Sequence, residues 1–217
     1  MKPLWLYLTL SFVGAQCNTS TTKNPTIMEQ TLTTQNEDAS LTAHFLPESD
    51  TIMQIRYRVE NKTGQSLYLF NKLYRGFEQD TLLTNKQFVY VFLNDKQALI
   101  CKAIAPVPAG MSVAAKAFPC VTKVPPHSAY EEAFTVALPL NLQTPYQQAV
   151  GRSKRVITKP LFFGLGYFVG TRFTEAQEKK VNTSDGPAIL FDVFNDDNQK
   201  WLNVGPLMNP VMVFETR

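Results

Sequence analysis

The sequence predicts an all-β protein, a single antiparallel β-sandwich of about nine strands. Three observations predict this class: short runs of alternating apolar and polar residues, turn residues between those runs, and prolines and glycines spaced too densely for long helices. The composition fits a folded globule, because 44% of the residues are hydrophobic and only 18% are charged. Two amphipathic sheets that face each other bury their apolar faces, and a closed barrel is the alternative.

The clearest strand covers residues 53–60, where every odd-numbered residue is apolar or aromatic and every even-numbered residue is polar. Residues 61–64 supply turn chemistry, and residues 66–70 form a second strand, so a hairpin is predicted here. This pair of strands resembles those of immunoglobulin-like modules on bacterial surface proteins. The resemblance implies an immunoglobulin-like sandwich and no particular chemistry.

Seven further segments have the pattern of strands. They are residues 41–45, 88–93, 98–104, 130–138, 161–169, 188–194 and 211–215. Residues 88–93 are apolar on both faces, which is typical of a central strand. Gly164, Gly166 and Gly170 are interpreted as glycines that mark a bulge or bend within a strand. Short helices are predicted only at residues 174–180 and 146–149.

The N-terminus has the pattern of an export signal. Residues 1–16 combine a basic tip with an apolar run of about ten residues, too short to span a bilayer as a mature helix. Cys17 follows directly and resembles the lipid-modified cysteine of bacterial lipoproteins, although ordinary cleavage after Ala15 is the alternative. Residues 17–39 are rich in Thr, Asn, Gln and Ser and are predicted to be a flexible tether. Residues 40–217 are predicted to form a single sandwich domain, and a division into two domains near Gly151 is the alternative.

The cysteine count bears on both the anchor and the domain. Of three cysteines, lipidation of Cys17 leaves Cys101 and Cys120 as one pair for an oxidising compartment. A disulfide between them would close a loop of about twenty residues and contribute roughly 3 kcal/mol in the chain-entropy model. The alternative is two buried thiols that never meet.

No recognisable set of acid, base and nucleophile is present in the sequence. Glu131 and Glu132 are consecutive strand residues that point to opposite faces, so they cannot flank one bond. His127 follows two prolines and is the candidate for a general base in a loop.

The best candidates for metal ligands are the clustered carboxylates of Asp192, Asp196 and Asp197, which suit a hard cation such as calcium. Their spacing lacks the alternation of an EF-hand loop. A polar turn between two strands is therefore the alternative to a metal site.

Aromatic residues after the predicted hairpin are the candidates for a binding surface. Tyr68, Phe70 and Tyr74 would form a platform for a peptide, a glycan or another subunit if one face of their sheet were exposed. His127 is a further candidate for ligand contact. Burial between two sheets is the alternative for the aromatic residues.

These features predict an exported, lipid-anchored protein of the bacterial envelope that binds or scaffolds an envelope protein, a peptide or a glycan. It would lie in the periplasm or on the cell surface, touch the membrane only through its anchor, and need no cofactor; a secreted soluble protein is the alternative. The net charge of +3 is spread along the chain, which argues against a nucleic-acid partner. The sequence does not fix the oligomeric state.

Two other functions compete with this prediction. One is an inhibitor or chaperone-like module that captures a peptide by pairing with a strand edge. The other is a hydrolase acting on an envelope polymer, whose activity would depend on His127 or Asp192.

Overall fold

The computed structural model describes residues 29–78, 81–113, 119–146, 154–191 and 196–216. The described residues contain fifteen strands, one helix α1 (Arg172–Ala176) and one 3-10 turn (Asp196–Asn198). The strands are β1 (Gln30–Gln35), β2 (Ala39–Ser49), β3 (Ile52–Asn61), β4 (Leu67–Lys72), β5 (Tyr74–Glu78), β6 (Thr81–Thr84), β7 (Tyr90–Leu93), β8 (Ala98–Lys102), β9 (Cys120–Val124), β10 (Ala129–Ala137), β11 (Leu140–Asn141), β12 (Lys154–Val169), β13 (Lys179–Thr183), β14 (Gly186–Leu190) and β15 (Lys200–Thr216). The predicted all-β class is confirmed.

The strands form two sheets that share one core. A 4-stranded antiparallel sheet has the order β1-β2-β3-β10, and an 11-stranded sheet has the path β11-β15-β12-β4-β9-β14-β13-β6-β5, with β8 and β7 attached beside β12. Buried residues of β2, β3 and β10 pack in one cluster with residues of β4, β8, β12 and β15. The larger sheet is mixed, because β8 runs parallel to β12 and β11 runs parallel to β15. The immunoglobulin-like arrangement of about nine strands is therefore not confirmed.

The alternating pattern of β3 matches its burial. Met53, Ile55, Tyr57 and Val59 are buried, whereas the even-numbered residues from 54 to 60 are exposed or half-buried. β3 pairs with β2 on one side and with β10 on the other. Its apolar face therefore lies in the centre of the smaller sheet and covers the larger one.

The predicted hairpin between β3 and β4 is wrong, because the two strands belong to different sheets. β4 pairs with β9 and β12, not with β3. The side chain of Asn61 fixes this crossing: its Nδ2 donates to the carbonyl oxygens of Gln65 at 2.7 Å, Val124 at 3.1 Å and Pro125 at 2.9 Å. Its Oδ1 accepts from the backbone N–H of Thr63 at 2.9 Å. The turn residues thus carry the chain between sheets.

The predicted central position of β7 is also wrong. β7 pairs with β8 and makes one isolated bridge, between Val91 and Gln143. It is apolar on both faces because Val91 packs in the shared core while Tyr90 packs in a separate cluster around Cys101. β7 is apolar on both faces because each face packs against other residues of the protein, not because the strand is central in its sheet.

The glycines of β12 permit close approach rather than a bulge. The register between β12 and β15 shifts within residues 159–163, before the first of these glycines. A Cβ on Gly164 would lie 2.6 Å from Asn203 Oδ1, and one on Gly166 would lie 2.6 Å from Gln199 Oε1. Side chains of the neighbouring segment therefore fill the space beside both glycines.

The start of the folded domain differs from the predicted boundary. Residues 1–28, which include the predicted signal, lie outside the described residues, but β1 falls within residues 17–39, the predicted tether. β1 pairs along its whole length with β2. An edge strand needs few apolar residues: Leu32 packs against the core, while Thr33 and Thr42 hydrogen-bond across the strands at 3.0 Å.

The short helix is shifted relative to its prediction at residues 174–180. α1 starts after an N-cap at Thr171, whose side chain accepts from the backbone N–H of Thr174, and ends at Ala176. Lys179 already belongs to β13. Of the second predicted helix, residues 147–149 lie outside the described residues.

Candidate functional site

Two charged side chains face each other from opposite sheets at inward positions of their strands. In β10, Glu132 has the same parity as Phe134, which is buried in the shared core. In β8, Lys102 has the same parity as Ile100, which is buried in that core from the other side. Because alternate strand residues point to the same face, strand geometry directs Glu132 and Lys102 into the interior.

Lys102 and Glu132 form a buried ion pair. Lys102 Nζ donates to Glu132 Oε1, and the two side chains are 0% and 9% exposed. Lys102 Nζ also donates to the backbone oxygen of Lys86 at 2.7 Å and lies 4.9 Å from the ring centroid of Phe134. Burial lowers the pKa of Lys102, and the charge of Glu132 opposes that effect. A charge this deep requires such partners.

The second oxygen of Glu132 holds two further groups. Glu132 Oε2 accepts from Tyr130 OH at 2.8 Å and from Asn71 Nδ2 at 2.8 Å. Because an ionised carboxylate only accepts hydrogen bonds, these contacts fix which end of the Asn71 amide faces Glu132. Burial, followed by the nearby charge of Glu132, raises the pKa of Tyr130, so its hydroxyl remains a donor.

Asn71 Oδ1 is a buried acceptor with no hydrogen-bond partner among the described residues. Tyr57 OH and Thr122 Oγ1 also lack a hydrogen bond of ordinary geometry there, but Tyr57 OH lies near Asn71 and Glu132, and Thr122 lies near Tyr130. Tyr57 stands directly opposite Glu132 in the register of β3 and β10. Burial, and then the charge of Glu132, raise the pKa of Tyr57 well above 10.0. Since an unsatisfied buried group costs about 1–3 kcal/mol, the Asn71 acceptor calls for a partner such as ordered water or a ligand.

The network borders a cleft of about 370 Å³. The cleft is lined by residues 130–133 of β10, by Asn71 and Lys72 of β4, and by Lys86 and Asp185 from two turns. Its volume lies at the lower end of the range for small-ligand sites, about 300–1,000 Å³. The cleft therefore has room for a small ligand or a short segment of a larger one.

A polar cluster at another place in the fold provides a contrast. Asp38 Oδ2 accepts from Tyr167 OH at 2.9 Å and from Lys200 Nζ at 2.7 Å, while Asn36 Nδ2 donates to Tyr167 OH at 2.8 Å. These contacts fasten the β1–β2 turn onto β12 and β15. None of these side-chain atoms is among the unpartnered buried atoms of the described chain. This cluster is satisfied by the fold alone, whereas the network around Glu132 is not.

The aromatic residues proposed as a binding platform lie mostly inside the protein. Tyr68 and Phe70 are 0% and 2% exposed, and they pack with Phe168 in a second cluster outside the shared core. The Tyr68 and Phe168 rings stack at 4.8 Å, and Tyr68 OH donates to Glu178. Tyr74 is half-buried against a small cluster that includes Leu82. The alternative of core burial therefore describes Tyr68 and Phe70.

The remaining candidates are not brought together with the cleft. His127 is exposed, with a left-handed φ of 52°, in the turn before β10. Asp196 and Asp197 belong to the 3-10 turn, while Asp192 and Cys17 lie outside the described residues. Within the described ranges, no three or more His, Cys, Asp or Glu residues are grouped as a metal site. The helix that these ranges contain is too short to cross a membrane.

The predicted disulfide is not formed, because Cys101 and Cys120 are both buried free thiols. Cys101 lies on β8 in a cluster with Tyr90, and Cys120 lies on β9 in a separate cluster with Leu82. β8 pairs with β7 and β12, whereas β9 pairs with β4 and β14, so the two cysteines are not on paired strands. Burial raises the pKa of Cys120 to about 11 and raises that of Cys101 as well.

The sequence did not single out Lys102, and it drew attention to Glu132 only as half of a catalytic carboxylate pair that strand geometry excluded. The signal was present, since Glu132 has the inward parity of its predicted strand and Lys102 interrupts an apolar strand. No protein-family model, curated protein or solved structure matches this chain. Its function must therefore be inferred from the chemistry of the cleft.

Proposed function

We propose that this chain is a binding module of the bacterial envelope and that the cleft beside Glu132 is its ligand site. The observation that carries this proposal is the Oδ1 atom of Asn71. Asn71 lines the cleft, is 1% exposed, and has this acceptor unpartnered while its Nδ2 is held by Glu132. Because Asn71 Oδ1 is itself covered by protein atoms, a ligand reaches it only by displacing atoms of the cleft wall, and a hydrogen bond donated there supplies the missing partner.

The contacts of the charged residues favour binding over catalysis. Both oxygens of Glu132 already accept hydrogen bonds, from Lys102, Tyr130 and Asn71, so the carboxylate is poorly placed to take a proton from a substrate. The ammonium group of Lys102 is held between Glu132 and the carbonyl of Lys86. Groups held so firmly suit a preorganised binding surface.

The envelope location rests on the N-terminal sequence. A signal at residues 1–16 followed by Cys17 favours a lipid anchor facing the periplasm or the cell surface, and cleavage after Ala15 would give a secreted soluble protein. Intact mass of the protein from its native host distinguishes them. The anchored form begins at a lipid-bearing Cys17, and the soluble form begins at Gln16.

Titration of the isotopically labelled protein with two probes tests the ligand site. One probe is a pool of capped octapeptides, and the other is a pool of envelope oligosaccharides. We expect one pool to shift the side-chain amide resonance of Asn71 saturably, because that amide lies on the cleft wall. If neither pool moves this resonance, the cleft does not bind either class and the proposal fails.

A pair of variants separates loss of the site from loss of stability. Asn71→Leu removes the cleft acceptor, and we expect it to weaken binding at least tenfold. Asn36→Leu is the matched control: Asn71 Nδ2 donates to Tyr130 OH at 3.1 Å, and Asn36 Nδ2 likewise donates to Tyr167 OH but lies away from the cleft. We expect folded Asn36→Leu protein to bind normally. Equal loss of affinity in both variants would contradict a site at Asn71.

A further inference from the structure

The geometry points to an extended peptide as the ligand, bound as an additional strand along the outer edge of β10. This inference rests on the proposed function, since it names the occupant of the same cleft. β10 is the last strand of its sheet, and no strand of the described ranges pairs with its outer edge. Strand edges present unpaired N–H and C=O groups that can accept a guest strand.

The pairing of β10 with β3 determines which of its residues face outward. The register is unbroken from Ala129 to Ala137. In an antiparallel pair, successive residues direct their backbone N–H and C=O groups alternately toward the partner strand and away from it. The backbone groups of one parity in β10 therefore point away from β3, to an edge at which no described strand pairs.

Hydrogen bonds at both ends of β10 fix that parity. The carbonyl oxygen of Ser128 accepts from the N–H of Asn61 at 2.9 Å, and the N–H of Leu138 donates to the carbonyl oxygen of Thr51 at 2.8 Å. Both bonds join an even-numbered residue to the β3 side. The odd-numbered residues of β10 therefore direct their backbone groups to the open edge.

The side chain of Gln87 confirms this direction and imitates a guest strand. Its Oε1 accepts from the backbone N–H of Thr135 at 2.6 Å and from the Thr135 hydroxyl at 3.2 Å. An amide carbonyl thus occupies the position where the peptide group of an added strand would bind. The next outward residues along this edge toward the start of β10 are Ala133 and Glu131, and both line the cleft.

The spacing of these two residues fits a peptide backbone. Ala133 and Glu131 lie about 7 Å apart along the strand, which is the repeat over which another strand presents its own N–H and C=O groups. A guest strand can therefore exchange backbone hydrogen bonds with both residues. The hydroxyl groups of a glycan do not repeat in this donor and acceptor order, which favours a peptide.

The wall of the cleft that contains Asn71 indicates which type of side chain the bound peptide directs inward. A strand added beside β10 directs alternate side chains to the same face as Glu132, toward Asn71. Asn71 Oδ1 is unpartnered but covered, so the inward residue that suits this wall is a donor that can enter it and reach that acceptor: Ser, Thr, Asn or Gln. The cleft lining contains Lys72 and Lys86 but also the carboxylates of Glu131, Glu132 and Asp185, so its charge does not favour an acidic neighbour in the peptide over a basic one.

Hydrogen exchange of the full chain tests strand addition directly. The probes are a capped octapeptide pool with Ser, Thr, Asn or Gln at a central position, and the same pool with every backbone amide N-methylated. We expect saturating peptide to slow exchange of the Glu131 and Ala133 amides at least tenfold, whereas the Tyr130 and Glu132 amides, which face β3, change little. The N-methylated pool lacks the required donors and is expected to bind at least tenfold more weakly.

Proline substitution provides the test from the side of the protein. Ala133→Pro removes an outward N–H and leaves the ladder to β3 intact, so it should abolish protection by the peptide. Ala137→Pro is the matched control on the same edge, separated from the cleft by the bond between Thr135 and Gln87. We expect Ala137→Pro to bind peptide normally, with thermal unfolding showing that both variants are folded. The N-methylated peptides keep the test decisive if Ala133→Pro does not fold.

The outcomes separate this inference from the proposed function. Peptide binding without alternating protection at Glu131 and Ala133, or equal affinity for the N-methylated pool, overturns strand addition. Oligosaccharides that shift Asn71 when peptides do not would also overturn it, while a binding cleft would remain. If neither class shifts Asn71, only water satisfies its acceptor, and both proposals fail.

Discussion

Replacing Glu132 by glutamine isolates the charge of the buried pair. The amide of the new side chain would keep an acceptor for Tyr130 but would leave Lys102, whose side chain is 0% exposed, without its counter-ion. Burial lowers the pKa of Lys102, and Glu132 raises it. We therefore expect Lys102 to be neutral in the folded Glu132→Gln variant at pH 7.

The size of the effect follows from the proton that Lys102 gives up. Its ordinary pKa is 10.5, so keeping it neutral at pH 7 costs about 5 kcal/mol, at about 1.4 kcal/mol per pH unit. This agrees with the range of about 3–5 kcal/mol for breaking a buried ion pair. In the variant the unfolded chain binds one proton more than the folded chain, so stability rises with pH. Between pH 7 and pH 9 the variant should regain about 3 kcal/mol relative to the wild type.

Urea unfolding at pH 7 and pH 9 measures this difference. The matched control is Glu131→Gln, because Glu131 is the next residue, faces solvent and pairs with Arg58 on the surface at 2.7 Å. We expect the control to change stability little at either pH. A stability difference between Glu132→Gln and wild type that stays constant from pH 7 to pH 9 would show that the substitution does not change the protonation of Lys102, and would refute the reasoning.

Three further predictions concern the surrounding fold. Gly170→Ala should lower the free energy of unfolding by about 1–3 kcal/mol, because the new Cβ would overlap the Tyr68 ring; an unchanged urea midpoint would contradict this. His127→Gly should raise the free energy of unfolding by up to about 1 kcal/mol, since φ is 52° there and an L side chain is strained in that region. A lower urea midpoint for this variant would contradict the prediction. Cys101 and Cys120 should react with a thiol reagent only after unfolding, whereas fast reaction of the native protein would show that they are accessible.

The sequence predicted strands well where alternation reports a single buried face. β3 is the clearest case, because each apolar residue of its pattern is buried. The partner of a strand is not contained in such a pattern. Asn61 and the turn after it favour a hairpin locally, yet three carbonyl acceptors, among them that of Val124 in a distant strand, direct the chain to the other sheet. The sheet that the chain enters after Asn61 therefore depends in part on a contact between Asn61 and Val124, which are 63 positions apart in the chain.

The cleft was less predictable than the fold for a related reason. Parity places Glu132 inward and Glu131 outward, and this part is readable from the sequence. The partner Lys102 lies on another sheet, and Asn71 lies on a third segment, so only the packed structure brings them together. Conversely, Tyr68 was singled out by its aromatic ring, although that ring packs inside a second cluster.

The buried pair of Lys102 and Glu132 lies beside the edge of β10 at which we propose that the peptide binds. An apolar pair at these positions would fold at least as well, so stability alone does not explain Lys102 and Glu132. Their contacts join the two sheets beside the cleft and fix the distance between Asn71 and the edge of β10. An open edge invites unwanted pairing. Gln87 occupies this edge at Thr135, which limits the stretch of β10 that another strand can pair with.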